Sequence, residues 1–404
     1  MMINVHQSMQ KSLLIKLSAG FVLGIIFGFA VAPLIPDSAM LKNNVMPVID
    51  LIGKLFLFLL TLIIIPLVFS SLIAGTASIR DIKTLGRIGV KTLFLFFLTT
   101  LIALFLGLTV ANFFNIGMTP VEQVHAVPFR EFFPDIFHNN IIEPFVRDNM
   151  LYVIVIAFAV GLVCIILGEA GKKISNFFGG IADIMHWLTQ ILMKFAPYGV
   201  FALISVTSAR FGMAILAPFA KLIFVIYLGC FIHAVLIYSG LIIFFCKHSP
   251  LWFFNGIHDA LITAFVTRSS SGTLPVTFQS AGNNLGISEK ICSFVLPLGA
   301  TINMDGTALY LGVCSIFVAN SFGIPLTFQM QLGIFASATL ASIGAAGVQG
   351  AGLIMLTTVL TSVGLPIEGV ALVAGIDVVL SSARTCLNVA GDIAVCASVA
   401  ASEK

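Results

Sequence analysis

Charge is what this chain has least of. Lys, Arg, Asp and Glu together make up 9% of its 404 residues, where soluble domains carry about 25%. So little polar surface cannot face water on all sides. The net charge of +3 is small, and no basic run alternates with aromatics, which speaks against a nucleic-acid partner. Cys164, Cys230, Cys246, Cys292, Cys314, Cys386 and Cys396 stand singly in apolar stretches, with no CxxC pair or metal-ligand spacing. They are read as small apolar core residues. HExxH and GxSxG motifs are missing, and none of the seven His falls after residue 258, so the chain is not expected to be an enzyme. Apolar residues are abundant instead: 59% of the chain, including 37 Phe, at a mean hydropathy of +1.11. An all-α integral membrane protein follows.

Apolar runs predict helices over about 12–35, 45–73, 88–114, 151–170, 186–208 and 213–246. Ala30-Val31-Ala32 mimics a signal-peptidase site, but a run of roughly 20 residues is a full span rather than a signal core, so a retained first helix is expected. Arg80, Lys83, Arg87 and Lys91 follow the second run, Lys172 and Lys173 the fourth, and Lys247 with His248 the sixth. The connection 115–150 instead carries Glu122, Glu131, Asp135, Glu143 and Asp148 against Arg130 and Arg147. The positive-inside rule then puts the N-terminus, the 80s loop, the 170s loop and residue 247 in the cytoplasm. A multi-pass protein of a cell (inner) membrane with both termini cytoplasmic is expected.

From about residue 250, polar residues and glycine interrupt the apolar runs. Two segments stand out: Thr267-Arg268-Ser269-Ser270-Ser271-Gly272-Thr273-Leu274-Pro275, and 342–352, SIGAAGVQGAG. Irregular backbone facing lipid would leave N–H and C=O groups unsatisfied, so such segments must be buried or line a cavity. Each is flanked by half-length apolar arms, as in a re-entrant hairpin, and each is followed by a polar-interrupted span, at 290–318 and 368–400. Two such units in succession point to a transporter's binding site between inverted repeats.

In the last span Asp377, Ser381, Arg384, Asn388 and Asp392 fall at i, i+4, i+7, i+11 and i+15, a stripe of roughly 80° along about 22 Å of helix. Opposite lie Val379, Cys386 and Val389. A lipid-facing charge at mid-membrane costs about 2.5–3.5 kcal/mol or more, so the stripe faces protein or a watery cavity. Internal ion pairs that merely stitch the bundle are the competing explanation. Arg384 offers a fork of donors suited to a carboxylate. Within Gly299-Ala300-Thr301-Ile302-Asn303-Met304-Asp305-Gly306-Thr307 the polar residues predict local unwinding that frees carbonyl oxygens. With a carboxylate these are hard ligands for an alkali cation, unless Asn303 and Asp305 only satisfy each other. The tips offer backbone N–H groups of Ser269, Ser270, Gly347 and Val348 to an anion, if they are more than tight turns. Lys194 and Arg210 are expected to snorkel or pair.

TRSSSGTLP, LPLGATINMDGTALY, ASIGAAGVQGAG and ARTCLNVAGD, in that order between about 258 and 400, make the chain resemble the dicarboxylate/amino acid:cation symporter family. That family includes archaeal aspartate transporters and the excitatory amino acid transporters. The resemblance implies eight transmembrane helices plus two re-entrant helical hairpins, inverted repeats, and a homotrimer working as an elevator. Residues 1–250 would be mainly scaffold and trimerisation helices, with the third and sixth partly in the moving domain, and 251–404 the transport core. It implies that Arg384 holds the substrate's distal carboxylate. Asn388, Thr307, Ser269, Ser270, Gly352, Ser381 and Thr385, with the tip backbone at Arg268, Gly347 and Val348, would hold the rest. Sodium sites would fall on Gly299, Asn303, Asn388 and Asp392, on Thr301, Met304, Ser342, Ile343 and Ala345, and on Phe96 (backbone), Thr99, Thr100, Asn303 and Asp305. The implied function is sodium-coupled uptake of aspartate, glutamate or a C4-dicarboxylate. A proton-coupled dicarboxylate carrier, a neutral amino acid carrier or a passive anion channel are the alternatives.

Three residues depart from the family pattern. Ser381 stands where the amino-acid carriers have an Asp that pairs with the substrate ammonium, as in the bacterial C4-dicarboxylate branch, whereas Ser271-Gly272, Thr385 and Asp392 resemble the aspartate branch. Leu311 stands where proton- and potassium-coupled members carry Glu, which with Asp392 favours sodium. Ala345 replaces a Thr or Ser whose ligand is chiefly backbone.

Overall fold

The computed structural model describes residues 19–34, 40–77, 86–118, 150–345 and 350–403, with residues 16, 38, 142 and 145 besides. The acidic stretch expected between 119 and 149, Arg80, Lys83 and the tip residues Gly347 and Val348 lie outside the described residues. All regular structure described is helical. The first half contains α1 (residues 19–31), α2 (Met46–Ala77), α3 (Gly86–Phe114), α4 (Met150–Ile166), α5 (Glu169–Phe211) and α6 (Leu216–His233). Beyond α6 the helix continues with wider π turns to Cys246. The expected start of a helix at 186 is too late. Gly168, at φ 57°, supplies the left-handed turn that ends α4, and α5 begins at once with Glu169, whose carboxylate meets Lys172 at 3.4 Å. No proline interrupts 169–185, and the helix runs through Gly171, Gly179 and Gly180.

The second half contains α7 (Pro250–Gly256), α8 (His258–Thr267), α9 (Ser270–Gln279), α10 (Glu289–Ile302), α11 (Asp305–Ser321), α12 (Phe328–Gly344), α13 (Ala351–Ser362), α14 (Gly369–Ala374) and α15 (Asp377–Ala401). Helices α8 and α9 pack on each other as one hairpin, and α12 and α13 as a second. Side-chain caps start the arms: Ser269 accepts from Gly272 N at 3.0 Å, and Thr327 from Met330 N at 3.2 Å. The span expected at 290–318 is broken where the sequence predicts unwinding. Asn303 (φ −88°, ψ 82°) and Met304 (φ −110°, ψ 53°) leave helical geometry, and both are buried, which is what makes the break tolerable.

Four helices among the described residues are long and apolar enough to cross a membrane: Arg87–Phe114, Leu216–Cys246, Ile291–Ser321 and Asp377–Ala401. A fifth is added if Glu169–Thr189 and Lys194–Ala209, bent by 55°, form one crossing. At 17 residues, α4 falls short of the roughly 20 that a perpendicular span needs. Outside, large apolar side chains such as Phe105, Phe113, Phe231 and Phe244 stand exposed, an exterior suited to hydrocarbon and not to water. Inside, α11 and α15 form the core, with α3 and α6 packed against both. On the face of α15 opposite the stripe, Val379 is exposed and Val389 is fully buried.

The end of α15 is tied to the start of α3. Arg87 donates to the Glu403 carboxylate from Nε at 2.9 Å and Nη2 at 2.6 Å, and Lys91 Nζ lies 2.7 Å from the same group. The Arg87 hydrogen bond, then that of Lys91, pulls the Glu403 carboxyl down from 4.5 to about 2. A depressed carboxyl stabilises the fold fully above its unfolded pKa and loses that contribution as pH falls through its folded one. Amide exchange in the last turn of α15, corrected for intrinsic rate, should therefore stay slow down to about pH 4.5 and accelerate between there and about pH 2. Protection that does not change across that window would contradict the clamp.

Candidate substrate and cation site

Helix α15 carries Asp377, Ser381, Arg384, Asn388 and Asp392 inward, each no more than 6% exposed. None faces lipid, so the expense of placing charge mid-span is met by burial in protein. Arg384 stacks over the Tyr310 ring at 5.0 Å, and Tyr310 donates its hydroxyl to Asp377 Oδ1 at 2.8 Å. The Nη1 of Arg384 is buried with no hydrogen-bond partner. A buried unpaired guanidinium donor is costly, and an incoming acceptor removes the cost.

Around that guanidinium, Arg268, Ser270, Met304, Thr307, Ala345, Gly352, Arg384, Thr385 and Asn388 line one cleft. Helices from both hairpins, the α10–α11 break and α15 thus converge on it. Asn388 Oδ1 accepts from the N–H groups of Gly306 (2.8 Å) and Thr307 (3.3 Å), which the unwound turn has left without helical partners. Its Nδ2 lies 3.3 Å from Thr307 Oγ1 and 3.1 Å from Met304 Sδ. Ser381 borders an adjoining cleft with Arg268 and Asp377, closed on the other side by Phe56, Ala196 and Val200 of α2 and α5. The Ser269 hydroxyl caps α9. Thr385 donates to Ser381 O at 2.8 Å.

Gly352 shows how closely the second hairpin approaches. A Cβ there would lie 1.3 Å from Arg384 Nη1. Gly352→Ala is expected to leave the protein folded, because a side-chain end can move. It should weaken substrate affinity by up to about 100-fold, the scale of an ångström-sized misplacement. Wild-type affinity in a titration of the purified variant would show that the hairpin does not set the guanidinium's position.

Behind the cleft lie two carboxylates, Asp305 (0% exposed) and Asp392 (1%). Among the described residues, neither forms an ion pair with Lys or Arg. Asp392 Oδ1 accepts from Asn303 Nδ2 at 3.0 Å and presses on Gly299, where a Cβ would stand 2.5 Å from that oxygen. Asp305 Oδ1 accepts from Thr100 (2.6 Å) and Thr99 (3.2 Å), and Thr99 Oγ1 also lies 3.1 Å from Phe96 O and 3.4 Å from Asn303 Oδ1. A buried anion held only by neutral donors is an open place for a cation, and carboxylate, amide, hydroxyl and carbonyl oxygens are a hard donor set. Of the sodium ligands that the resemblance implies, Phe96, Thr99, Thr100, Asn303 and Asp305 converge, as do Gly299, Asn303 and Asp392, whereas Asn388, implied with the latter group, turns its Oδ1 to the Gly306 and Thr307 N–H groups. The set of Thr301, Met304, Ser342, Ile343 and Ala345, implied chiefly through backbone carbonyls, draws on the α10–α11 break and the end of α12. Thr301 is exposed and donates to Leu298 O at 2.9 Å, Ser342 donates to Thr339 O at 2.8 Å, Ile343 is half-buried, and Met304 and Ala345 line the cleft around Arg384.

Three residues escaped the sequence reading. Tyr238 donates to Asp305 Oδ2 at 2.8 Å, His233 Nε2 lies 3.6 Å from the same oxygen, and Tyr310 stacks on Arg384. Tyr is rare here, five in the chain, and a buried Tyr needs a partner for its hydroxyl. That is the signal that could have found two of them.

A family model described as the sodium:dicarboxylate symporter family matches residues 13–402. The chain is 35% identical over 392 residues to a proton/sodium-glutamate symport protein of Geobacillus stearothermophilus, covering 92% of this chain and 90% of that one. It is 33% identical over 359 residues to a proton/glutamate-aspartate symporter of Escherichia coli, covering 84% and 82%. It is 30% identical over 410 residues to a C4-dicarboxylate transport protein of Burkholderia lata, covering 98% and 92%.

Proposed function

The chain belongs to the sodium:dicarboxylate symporter family, and on that premise we propose that it takes up an acidic amino acid or a C4-dicarboxylate together with a cation. One observation carries this reading: a buried guanidinium, open on one nitrogen, shares a helix with Asp392, and both meet the same helix break. Arg384 binds a carboxylate, while Asn388 and Thr307 orient the rest of the substrate. Asn303, Asp305 and Asp392 hold sodium as the co-transported ion. Asn303 and Asn388 sit on both sides of one unwound turn, so ion and substrate favour the same local arrangement, which is the requirement for coupling.

The printed names of the relatives include proton coupling. Leu311, fully buried in α11, offers no carboxyl for a proton, which favours sodium. In this reading residues 1–250 are chiefly scaffold and 251–404 the mobile core, crossing an inner membrane eight times with both termini cytoplasmic, with the cleft between Phe56, Ala196, Val200 and Arg268, Asp377, Ser381 as the seam of an elevator. Val48, Leu51, Leu55, Phe58 and Leu62 stand exposed at heptad spacing along α2 and support assembly through that face as a homotrimer.

Proteoliposomes given labelled aspartate or succinate test the function. Saturable uptake that requires an inward sodium gradient is expected. Uptake driven equally well by a proton gradient alone would transfer the coupling to protons, and uptake indifferent to both gradients would remove it.

A further inference from the structure

Arg384 is not the only buried guanidinium at the cleft. Arg268, at the tip of the first hairpin, is 5% exposed, and its Nε and Nη2 are buried without a hydrogen-bond partner. It is one of three non-glycine residues with positive φ among those described, at 52°, a conformation that a side chain makes costly and glycine would adopt freely. A hairpin tip needing only a tight turn has no use for arginine there.

Arg268 lines both clefts, the one with Arg384, Thr307 and Asn388 and the one with Asp377 and Ser381. Among the described residues no carboxylate lies within ion-pair distance of it. Asp377 is the one carboxylate along either cleft wall, and its Oδ1 is engaged by Tyr310. At Ser381 the chain places a hydroxyl that donates to Val378 O at 3.2 Å. The two clefts therefore contain two guanidiniums with unused donors and a single carboxylate.

From this we infer that the Arg268 side chain anchors the second carboxylate of a dianionic substrate, with Arg384 on the first, and that the preferred substrate is a C4-dicarboxylate without an amino group. The inference rests on the reading of the chain as a carboxylate carrier and names the substrate class of that same site. Two acceptor groups satisfy both sets of buried donors at once, and the forked geometry of arginine suits each. An ammonium brought to the cleft around Arg384 meets two like charges, and no carboxylate lines that cleft.

The test is a binding titration of the purified full chain at fixed sodium, so that it does not depend on transport or coupling. Wild-type protein is expected to bind succinate at least about tenfold more tightly than aspartate, and Arg268→Gln to lose most of that preference. Ser381→Asp, which places a carboxylate between the clefts, should move the preference toward aspartate even if Arg268→Gln fails to fold. A wild-type protein that binds aspartate more tightly or binds neither acid overturns the inference. So does a pair of variants in which both affinities change by the same factor. Selective binding without uptake in proteoliposomes would leave the clamp standing and sink the transport reading alone.

Discussion

In Arg384→Ala protein, uptake of the carboxylate substrate is expected to fall by at least about 30-fold, with normal membrane insertion and assembly. Removing one partner of a buried, hydrogen-bonded charge pair costs about 2–5 kcal/mol, and each 1.4 kcal/mol is about a factor of ten. The fold should tolerate the change, because the side chain's packing partner is the Tyr310 face and its Nη1 bonds nothing in the protein. What must be conserved at this position is the backbone: a Cβ on Gly306 would lie 2.1 Å from Arg384 O, so α11 and α15 touch main chain to main chain there. Size-exclusion chromatography beside the uptake assay separates the two effects. Transport that survives at wild-type rate would remove Arg384 from substrate binding.

Asp305→Asn is expected to have the second largest effect, on the ion. Asp305 is fully buried and held by the hydroxyls of Thr99, Thr100 and Tyr238, with His233 beside it. The amide is nearly isosteric and still accepts through one oxygen, so the local packing should persist. Losing the charge opposite a buried cation costs about 3–5 kcal/mol, equivalent to roughly 100-fold or more in cation affinity. Half-saturating sodium for substrate binding should rise by that factor while affinity at very high sodium approaches wild type. An unaltered sodium requirement would place the coupling ion elsewhere.

Much of this arrangement could be read before any coordinates. The stripe from Asp377 to Asp392 was legible because helical period alone puts those residues on one face. The helix break at Asn303 and Met304 was legible because Asn, Asp and Gly interrupt an apolar span. The two hairpins were legible because Gly- and Ser-rich stretches interrupt half-length apolar arms, and irregular backbone with unsatisfied polar groups cannot face lipid. Partners from distant segments were not. Tyr238 and His233 lie 67 and 72 positions before Asp305, and although a buried Tyr calls for some partner, nothing in the sequence names Asp305 as that partner. Hydropathy also placed the start of α5 at 186, because residues 169–185 are polar enough to pass for a loop, although the helix runs through them. The buried Arg268 side chain was the costliest omission: the sequence marks the tip as irregular backbone, but only burial shows that the guanidinium has turned inward.

We propose that the helix break at Asn303 and Met304, with the first turn of α11, serves substrate and cation together. Equilibrium titrations of purified protein test it most directly, with substrate affinity measured across sodium concentrations and sodium affinity across substrate concentrations. Linkage requires that each ligand tighten the other by the same factor, and a common factor well above one is the expected result. Substrate affinity that is flat from sodium-free buffer to saturating sodium would contradict the account.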